Sequence, residues 1–363
     1  MQMITIISNF KIAGSIIHSK EYGNGHINKT YLVTMSTNEK FILQQINSTV
    51  FKKPKDVMHN IVLVTDHIRS KCNHLSGSDY SRSTLEIVKS LDDKSYYIHG
   101  EDFWRCYKFI DGAKTFEQIE YPEQFYEVGR AVGKFQQQLS DFPIEKLKIT
   151  IPNFHNTWKR FEVFLDSANA DLKNRGMDVF NDIKFVCDRQ QEMKVIIDGL
   201  NDKSIPERVT HNDTKLNNIM LDEKTDKAIC VIDLDTVMPG SLLFDFGDAI
   251  RIGASTAAED ETDLRKVRFD LELFHKFSKG FLEMVKDELT EAEKRNLVLS
   301  TKIITLECGM RFLTDYLNGD TYFRTEYPRH NLVRARTQFK LVTEIEKKQE
   351  EMQNIIDELL QVV

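Results

Sequence analysis

A short polar segment in the middle of this chain is followed by two apolar runs and an acid. Residues 211–218 read HNDTKLNN, the apolar runs are 219–221 and 228–232, and Asp233 follows the second run directly. The polar residues between the two runs predict a pair of strands joined by a turn. Such a hairpin would return Asp233 towards Asn218. The fold must therefore present a loop and a strand end whose polar side chains act together.

The residue types in this loop match the needs of phosphoryl transfer from ATP. Asp213 can accept the proton of an acceptor hydroxyl, and Lys215 can bind the γ-phosphate. Asn218 and Asp233 offer hard oxygen ligands of the kind that Mg²⁺ prefers. Asparagine and aspartate are also common in surface turns, so one such loop alone would indicate little. The complete ordered set, with a strand that ends in an acid, favours a kinase site that uses ATP and Mg²⁺.

Two neighbouring motifs allow other interpretations. Residues 233–236 read DLDT and match the nucleophile motif D-x-D-x-T of haloacid-dehalogenase-type phosphatases, but that interpretation leaves the upstream loop unexplained. Within it, Asp235 is either a second metal ligand or a turn acid. Residues 245–247 spell DFG, the metal-binding triplet of protein kinases, yet turn residues precede the triplet and no long strand leads into it. We therefore expect Asp233 to be the metal ligand instead of Asp245.

The pattern H-x-D-x-K-x-x-N with a following I-D-L strand end resembles the aminoglycoside phosphotransferase and choline kinase superfamily. The strings HNDTKLNNIMLD, CVIDLDTVMPG and DFGDAIRIGASTAAEDE, between Arg208 and Glu261, resemble more narrowly the N-acetylhexosamine 1-kinases. The resemblance implies transfer of phosphate from ATP to the anomeric hydroxyl of N-acetylglucosamine or N-acetylgalactosamine. It also implies supporting positions behind the loop for His211 and for Asp245, which would hold the loop through its backbone amides.

The same resemblance implies an α+β, bilobal, protein-kinase-like fold. A small antiparallel-sheet lobe at residues 1–110 would bind the nucleotide, and a larger, mostly helical lobe at residues 111–363 would carry the catalytic and substrate-binding residues. The chain is long enough for two such lobes, each with its own core. The spacing of apolar residues predicts helices at 54–72, 121–139, 262–285 and 291–317.

A glycine-bearing hairpin loop near the N-terminus is suited to phosphate binding. Gly23, Asn24 and Gly25 lie between two predicted strands, and glycine lets backbone amides approach phosphate oxygens closely. His26 follows and is a candidate substrate residue, although it could simply lie exposed in the loop. The next strand offers Gln44 where the kinase pattern has a lysine that pairs with the phosphates. Gln44 can donate only a neutral hydrogen bond, and this departure puts ATP affinity in doubt.

A hinge between the two lobes is predicted where an apolar strand ends in Asp-Gly at residues 111–112. In the resembled superfamily, backbone groups of that hinge bind the edge of adenine. We place these groups at Lys108, Phe109 and Ile110.

The acceptor pocket is expected in the helical region beyond residue 251. Arg311 and Tyr322 are the candidate sugar-binding residues, because arginine supplies planar donors and tyrosine supplies a flat apolar face. An apolar stripe from Val342 to Val363, interrupted by Gln349, is expected to dock on its own domain. We therefore expect a monomer in preference to a dimer.

Charge and cysteine usage exclude several classes of partner. A formal net charge of −7 implies no wide positive surface and argues against a nucleic-acid partner. The five cysteines are scattered and include no C-x-x-C pair, which is typical of free thiols in a reducing cytosol. No apolar run approaches the ~18 residues of a membrane span, and no signal pattern begins the chain. The expected location is cytoplasmic, without a membrane partner.

Two rival functions remain open at this point. The first is a kinase of another small alcohol, such as an aminoglycoside, choline, ethanolamine, homoserine or a different sugar. The basic region 322–336 argues mildly against cationic acceptors. The second is a pseudokinase module that binds nucleotide without turnover, which the missing strand lysine motivates.

Overall fold

The computed structural model describes residues 2–23 and 27–361. The strands are, in chain order, β1 (Ile16–Glu21), β2 (Lys29–Met35), β3 (Lys40–Ile46), β4 (Ile87–Val88), β5 (Tyr97–His99), β6 (Asp102–Lys108), β7 (Ala113–Lys114), β8 (Arg208–Thr210), β9 (Ile219–Asp222), β10 (Ala228–Val231) and β11 (Met238–Gly240). The α-helices are α1 (Gln2–Ile7), α2 (Pro54–Lys71), α3 (Gly77–Ser81), α4 (Pro122–Gln138), α5 (Thr157–Ala170), α6 (Phe180–Cys187), α7 (Val195–Asn201), α8 (Leu242–Gly253), α9 (Leu271–Val285), α10 (Glu291–Asn318), α11 (His330–Lys347) and α12 (Gln349–Gln361).

The chain forms two compact units, and each is discontinuous in sequence. The first unit contains Met1–Lys114, Asp141–Pro152 and Met220–Pro239. The second unit contains Thr115–Ser140, Asn153–Ile219 and Gly240–Val363. The predicted sheet region therefore lies in the first unit, and most of the helices lie in the second.

An antiparallel sheet with the strand order β1-β2-β3-β6-β4 forms the centre of the first unit, and β5 pairs with β6 as well. Phe41 and Leu43 of β3 are buried, with the two-residue period of a strand. They pack with Val33 of β2 and with α1 in one apolar cluster. In the pairing of β3 with β6, Gln44 lies directly opposite Arg105. These two side chains therefore project from the same face of the sheet.

Helix α2 supports the segment around Asp233 within the first unit. Proline at the first helical position, Pro54, begins the helix, as its fixed φ angle favours. The helix contacts the 3₁₀ turn Leu234–Thr236. Asn60 is buried in α2 and donates a hydrogen bond of 2.9 Å to the carbonyl oxygen of Val237. The backbone that follows Asp233 is therefore attached to a helix and is not a free loop.

Helices α4 and α9 of the second unit pack with their backbones in close contact. A Cβ atom added at Gly129 would lie 2.2 Å from the carbonyl oxygen of Phe277, and one added at Gly280 would lie 2.1 Å from that of Tyr126. Only glycine leaves room for this approach, since protein interiors are close-packed. Helix α4 also contacts β8 and α8, so this packing supports the loop that follows β8.

Helix α10 is the longest helix of the second unit and contacts α5, α8 and α11. Thr290 and Glu293 form a capping box at its start, and Gly319 ends it with φ 100°. Helix α11 packs on α10 and helix α12 packs on α9. The C-terminal apolar stripe thus docks on its own unit as predicted, with four of its residues fully buried: Val342, Ile345, Met352 and Ile356.

The observed elements confirm the predicted α+β class, with an antiparallel sheet in the N-terminal region and helices in the C-terminal region. The predicted helix at 262–285 is wrong at its start, because α9 begins only at Leu271. The side chain of Asp270 caps that helix. The segment before it is held by a hydrogen bond from the N–H of Thr256 to the carbonyl oxygen of Arg268. None of the helices in the described part of the chain combines the length and apolarity that a membrane span requires.

Candidate active site

The loop that follows β8 is held in place by Asp245. This residue is buried on the first turns of α8, so the DFG triplet lies inside a helix. Its carboxylate accepts hydrogen bonds from the backbone N–H groups of His211 (2.9 Å) and Asn212 (2.7 Å). Gln136 of α4 donates to the same carboxylate at 2.7 Å, and the hydroxyl of Thr214 donates to the carbonyl oxygen of Asp245 at 2.7 Å. These are the amide contacts that the resemblance implies.

A buried histidine just before α5 holds the same loop. His155 Nε2 lies 3.1 Å from the carbonyl oxygen of Asn212 and donates to it, while Nδ1 lies 2.8 Å from Oε1 of Glu307. Thr157 donates to the other carboxylate oxygen of Glu307 at 2.6 Å. Burial alone would lower the pKa of His155, but the carboxylate of Glu307 raises it above its ordinary value. Sequence reasoning missed this pair, because no motif relates residues so far apart in the chain.

Asp213 has one engaged and one open carboxylate oxygen. Lys215 Nζ lies 2.8 Å from Oδ2 of Asp213. Asn218 Nδ2 donates to the same Oδ2 at 3.1 Å and to the main-chain oxygen of Asp213 at 2.8 Å. Oδ1 of Asp213 accepts no hydrogen bond from any residue that the structure describes. The side chain is 29% exposed, so solvent reaches part of it.

The charges around Asp213 keep its carboxyl group ionised. Burial raises the pKa of this group, but the ammonium of Lys215, together with His211 and the amide of Asn218, lowers it below its ordinary value. A carboxylate that is ionised at neutral pH can orient a hydroxyl group and accept its proton as the transferred group arrives. The three predicted loop residues Asp213, Lys215 and Asn218 are therefore brought together in one cluster.

Each of the two predicted metal ligands offers an oxygen atom of the kind that magnesium prefers. The amide nitrogen of Asn218 is occupied by Asp213, while its Oδ1 accepts no hydrogen bond from a described residue. Asp233 lies in the first unit directly after β10, with a left-handed backbone of φ 58°. Within residues 2–23 and 27–361, no three histidine, cysteine, aspartate or glutamate residues form a metal-binding group. Magnesium needs only one or two protein carboxylates, because phosphate and water supply its other ligands.

Asp235 belongs to a buried network in the first unit. Arg105, only 1% exposed, forms an ion pair with Oδ1 of Asp235. Asn28 donates to Oδ2 of the same carboxylate at 2.7 Å. Asp235 is 3% exposed, so it is not a surface turn acid, and each of its carboxylate oxygens already has a partner within the first unit. The sequence did not single out Arg105. The pairing of β3 with β6, which places Arg105 opposite Gln44, would have pointed to it.

Gln44, the predicted nucleotide residue of β3, is engaged at both ends of its amide. Its Nε2 donates to the hydroxyl of Thr30 at 2.9 Å, and its Oε1 accepts from Nε of Arg105 at 2.9 Å. Lys40 at the start of β3 forms an ion pair of 2.7 Å with Asp111 and is largely exposed. Neither residue therefore supplies a buried positive charge on this strand.

The predicted hinge differs from residue to residue in its backbone hydrogen bonds. The N–H of Lys108 donates to the backbone carbonyl oxygen of Glu86 at 2.9 Å, and the N–H of Phe109 donates to that of Lys40 at 3.0 Å. The N–H of Ile110 makes no hydrogen bond to a described residue. Of the three predicted hinge residues, Ile110 is thus the one whose N–H group remains for a ligand.

The predicted glycine loop is described only at its first residue. Gly23 has φ 78°, a conformation that glycine adopts without strain, and a Cβ atom there would meet no neighbour within 4 Å. Asn24, Gly25 and His26 lie outside the described residues.

Arg311 and Tyr322, the predicted acceptor residues, meet around one aromatic ring in the second unit. The guanidinium of Arg311 lies 5.5 Å from the ring centre of Phe323 and 5.8 Å from that of Phe154. The Tyr322 ring is 68% exposed and packs edge-on against Phe323 at 4.8 Å. Arg311 forms no hydrogen bond or ion pair with any residue in the described ranges. Its donors are therefore available to a ligand.

A second arginine lies beside Arg311. Arg160 donates two hydrogen bonds to the carbonyl oxygen of Phe154, at 3.3 and 3.2 Å. Burial and the neighbouring charge of Arg311 lower the pKa of Arg160. Arg311 also lies one helical turn after Glu307 on α10, and Glu307 is connected through His155 to the loop that follows β8. Two guanidinium groups therefore lie close together in this part of the second unit, with Glu307 beside them.

Comparison with known proteins gives a family match and many structures of the same fold. Residues 18–278 match the family model described as the phosphotransferase enzyme family. An aminoglycoside phosphotransferase from Alicyclobacillus acidocaldarius superposes with a TM-score of 0.60 at 11% identity, covering 98% of this chain and 95% of that one. A microcompartment-associated aminopropanol kinase gives a TM-score of 0.61 at 14% identity, covering 96% of each chain. An amicoumacin kinase in complex with AMP-PNP and Ca²⁺ gives 0.58 at 14% identity, covering 96% of this chain and 93% of that one. These likenesses confirm the protein-kinase-like fold.

Proposed function

Because the chain belongs to the phosphotransferase enzyme family, we propose that it transfers the γ-phosphoryl group of ATP to the anomeric (C1) hydroxyl of an N-acetylhexosamine, GlcNAc or GalNAc. The observation that carries this proposal is the arrangement of Asp213. One carboxylate oxygen is held by Lys215 and Asn218, and the other has no partner among the described residues. A hydroxyl acceptor can use that oxygen.

Each loop residue has a defined task in the proposed reaction. Asp213 orients the acceptor hydroxyl through Oδ1 and takes its proton as the bond to phosphorus forms. Lys215 offsets negative charge on the transferred group, and Asp245 keeps the loop in its shape. A bound Mg²⁺, with Asn218 and Asp233 as its proposed ligands, supplies charge neutralisation for the phosphates. Little covalent chemistry falls to the protein, so position and charge are sufficient.

The charge near the predicted acceptor residues supports a neutral sugar over a cationic acceptor. Arg311 and Arg160 lie side by side, and no described residue forms an ion pair with Arg311. A choline or aminoglycoside cation would be repelled by these guanidinium groups, whereas the hydroxyl and N-acetyl carbonyl oxygens of a sugar accept hydrogen bonds from them. The exposed ring of Tyr322 offers a flat apolar face for a sugar ring.

The donor nucleotide is proposed to bind in the first unit. The glycine loop from Gly23 would approach its phosphates, and the N–H of Ile110 would donate to the edge of adenine. The complex of the amicoumacin kinase with AMP-PNP supports an adenine nucleotide as the donor in this fold.

A panel of acceptors tests the proposal by ADP release. The panel consists of GlcNAc, GalNAc, glucose, choline, aminopropanol and kanamycin, with the methyl glycoside of GlcNAc as the matched control, because its C1 oxygen cannot accept a phosphoryl group. We expect turnover with one or both N-acetylhexosamines and none with the methyl glycoside. Turnover of the methyl glycoside, or of kanamycin or an amino alcohol alone, would show that the sugar 1-kinase assignment is wrong. Nucleotide binding without turnover of any acceptor would favour the pseudokinase module.

A further inference from the structure

The first unit lacks a lysine at the position where kinases use one. In protein kinases a lysine on the third strand binds the α- and β-phosphates and pairs with a glutamate on the next helix. Here the third strand carries Gln44, and Lys40 is exposed and paired with Asp111. An enzyme that binds ATP needs another positive group to offset the phosphate charge.

Arg105 is placed to be that group. It lies on β6, directly opposite Gln44 in the pairing with β3, so both side chains project from one face of the sheet. Neighbouring strands are about 4.8 Å apart, so a long side chain on β6 can reach the space that a β3 lysine would fill. Arg105 Nε donates to Oε1 of Gln44 at 2.9 Å, which fixes the direction of the guanidinium.

Asp235 takes the place of the helix glutamate. Its Oδ1 is paired with Nη1 of Arg105, and its Oδ2 accepts from Asn28 at 2.7 Å. Asn28 lies just after the glycine loop and also accepts a hydrogen bond of 3.0 Å from the backbone N–H of Asn47. The ion pair is thus tied to the end of the glycine loop. Helix α2 contacts the turn that carries Asp235, so the pair is fixed from that side as well.

One nitrogen of this buried guanidinium has no hydrogen-bond partner among the described residues. Nη2 of Arg105 makes no hydrogen bond to a described residue, while Nε and Nη1 are both used. Asp233, the proposed metal ligand two residues before Asp235, also acts on Arg105: burial would lower the pKa of the guanidinium, but Asp235 and Asp233 raise it. The arginine therefore lies in the same electrostatic environment as the acid that is proposed to hold the metal.

A purely structural role explains this pair poorly. Burying an arginine and an aspartate is expensive, and well-packed apolar residues are often as stable or more stable in their place. A buried pair with a remaining donor, connected to the glycine loop, is better explained by a ligand that needs the charge.

We propose that Arg105, positioned by Gln44 and Asp235, binds the α- and β-phosphates of the donor nucleotide in place of the missing strand lysine. The inference rests on the proposed function, since it requires ATP as the donor. It assigns the buried cation of the nucleotide site to β6 and its acidic partner to the turn after β10.

Binding measurements without turnover test this inference. The affinities for AMP-PNP with Mg²⁺ and for adenosine are measured by calorimetry. The ratio of the first affinity to the second reports how much the phosphates contribute to binding. The double variant Arg105→Gln/Asp235→Asn removes both charges and leaves no buried charge unpaired. We expect its ratio to fall by roughly 10- to 100-fold, the value of one or two charge-assisted hydrogen bonds.

A second double variant, which moves the positive charge from β6 to β3, and a matched control complete the design. Gln44→Lys/Arg105→Gln returns the positive charge to β3, and we expect it to recover most of the ratio. Lys40→Gln removes an exposed cation from the same sheet and should leave the ratio unchanged. In the wild-type protein, the ¹⁵N resonance of Arg105 Nε should shift on addition of AMP-PNP with Mg²⁺ but not of adenosine. That measurement does not depend on any variant folding.

The contrary outcomes are distinct from failure of the proposed function. An unchanged ratio in the double variant, or an Nε resonance that responds equally to adenosine, would leave Arg105 as a structural residue and overturn the inference. A wild-type protein that binds AMP-PNP no more tightly than adenosine would instead remove ATP as the donor, and the proposed function would fall together with the inference.

Discussion

The carboxylate of Asp245 accepts a hydrogen bond of 2.7 Å from the backbone N–H of Asn212, the residue of the loop 211–218 with a left-handed backbone at φ 67°. This conformation costs about 1–2 kcal/mol for a residue with a side chain and persists only where the surroundings fix it. Asp245 holds the N–H of Asn212, and His155 holds its carbonyl oxygen. Asp213 follows directly, so both contacts determine where its carboxylate points.

Replacing Asp245 with asparagine is the first test of this support. The new amide group would face the N–H donors of His211 and Asn212 and leave one of them without an acceptor. We expect a loss on the order of 3 kcal/mol in the free energy of unfolding and a drop in kcat of about two orders of magnitude. Urea unfolding and steady-state kinetics measure the two effects.

Asp248→Asn is the matched control for that variant. Asp248 is also buried on α8, but its carboxylate bonds to Arg251 and acts on the loop only through its charge effect on His155. We expect this control to lose stability with much less effect on kcat per folded molecule. Equal losses of kcat in both variants would show that Asp245 acts through general stability alone.

The His155–Glu307 pair predicts a pH dependence of stability. The folded-state pKa of His155 is raised, so its contribution is fully present below the unfolded-state pKa of about 6.5 and is lost as the pH rises through the folded-state pKa. Glu307→Gln removes the partner that raises it, although Asp248 also acts on His155. We expect the stability difference between wild type and Glu307→Gln to shrink as the pH rises from 6 to 9. A difference that is constant with pH would contradict a charged His155.

Lys215 is predicted to control the acid limb of the activity. The pKa of Asp213 is lowered, so its carboxylate remains ionised, and activity should fall only when the pH drops through that lowered value. Lys215→Met removes the ammonium while burial still acts, so the pKa of Asp213 should rise. We expect the acid limb of kcat/KM for the acceptor to move to higher pH, together with a loss of kcat of about two orders of magnitude. An acid limb at the same pH in wild type and Lys215→Met would show that Lys215 does not set the pKa of Asp213.

The sequence was sufficient for local patterns. The ordered loop 211–218 predicted a cluster of Asp213, Lys215 and Asn218, and the structure brings the three side chains together. The spacing of apolar residues predicted α2, α4 and α10 nearly to their ends, because burial of one face sets that period. The start of α9 was missed, since the capping acid Asp270 competes with a longer apolar pattern.

Contacts between distant residues could not be predicted from the pattern. Arg105 meets Asp235, and His155 meets Glu307, only after the chain has folded. Each of these residues is unremarkable in its own stretch of sequence, because an isolated charge usually lies on the surface. The sequence left Asp235 open between a metal ligand and a turn acid for the same reason, since neither Arg105 nor Asn28 is near it in the chain.

Turnover of the Asp213→Asn variant tests the central claim most directly. Asparagine keeps the shape of the side chain but cannot accept the proton of the acceptor hydroxyl. We predict that kcat for an N-acetylhexosamine falls by about three orders of magnitude or more, while the affinity for AMP-PNP changes by less than about threefold. Turnover equal to that of the wild-type protein, with nucleotide binding intact, would contradict the assignment of Asp213 as the base.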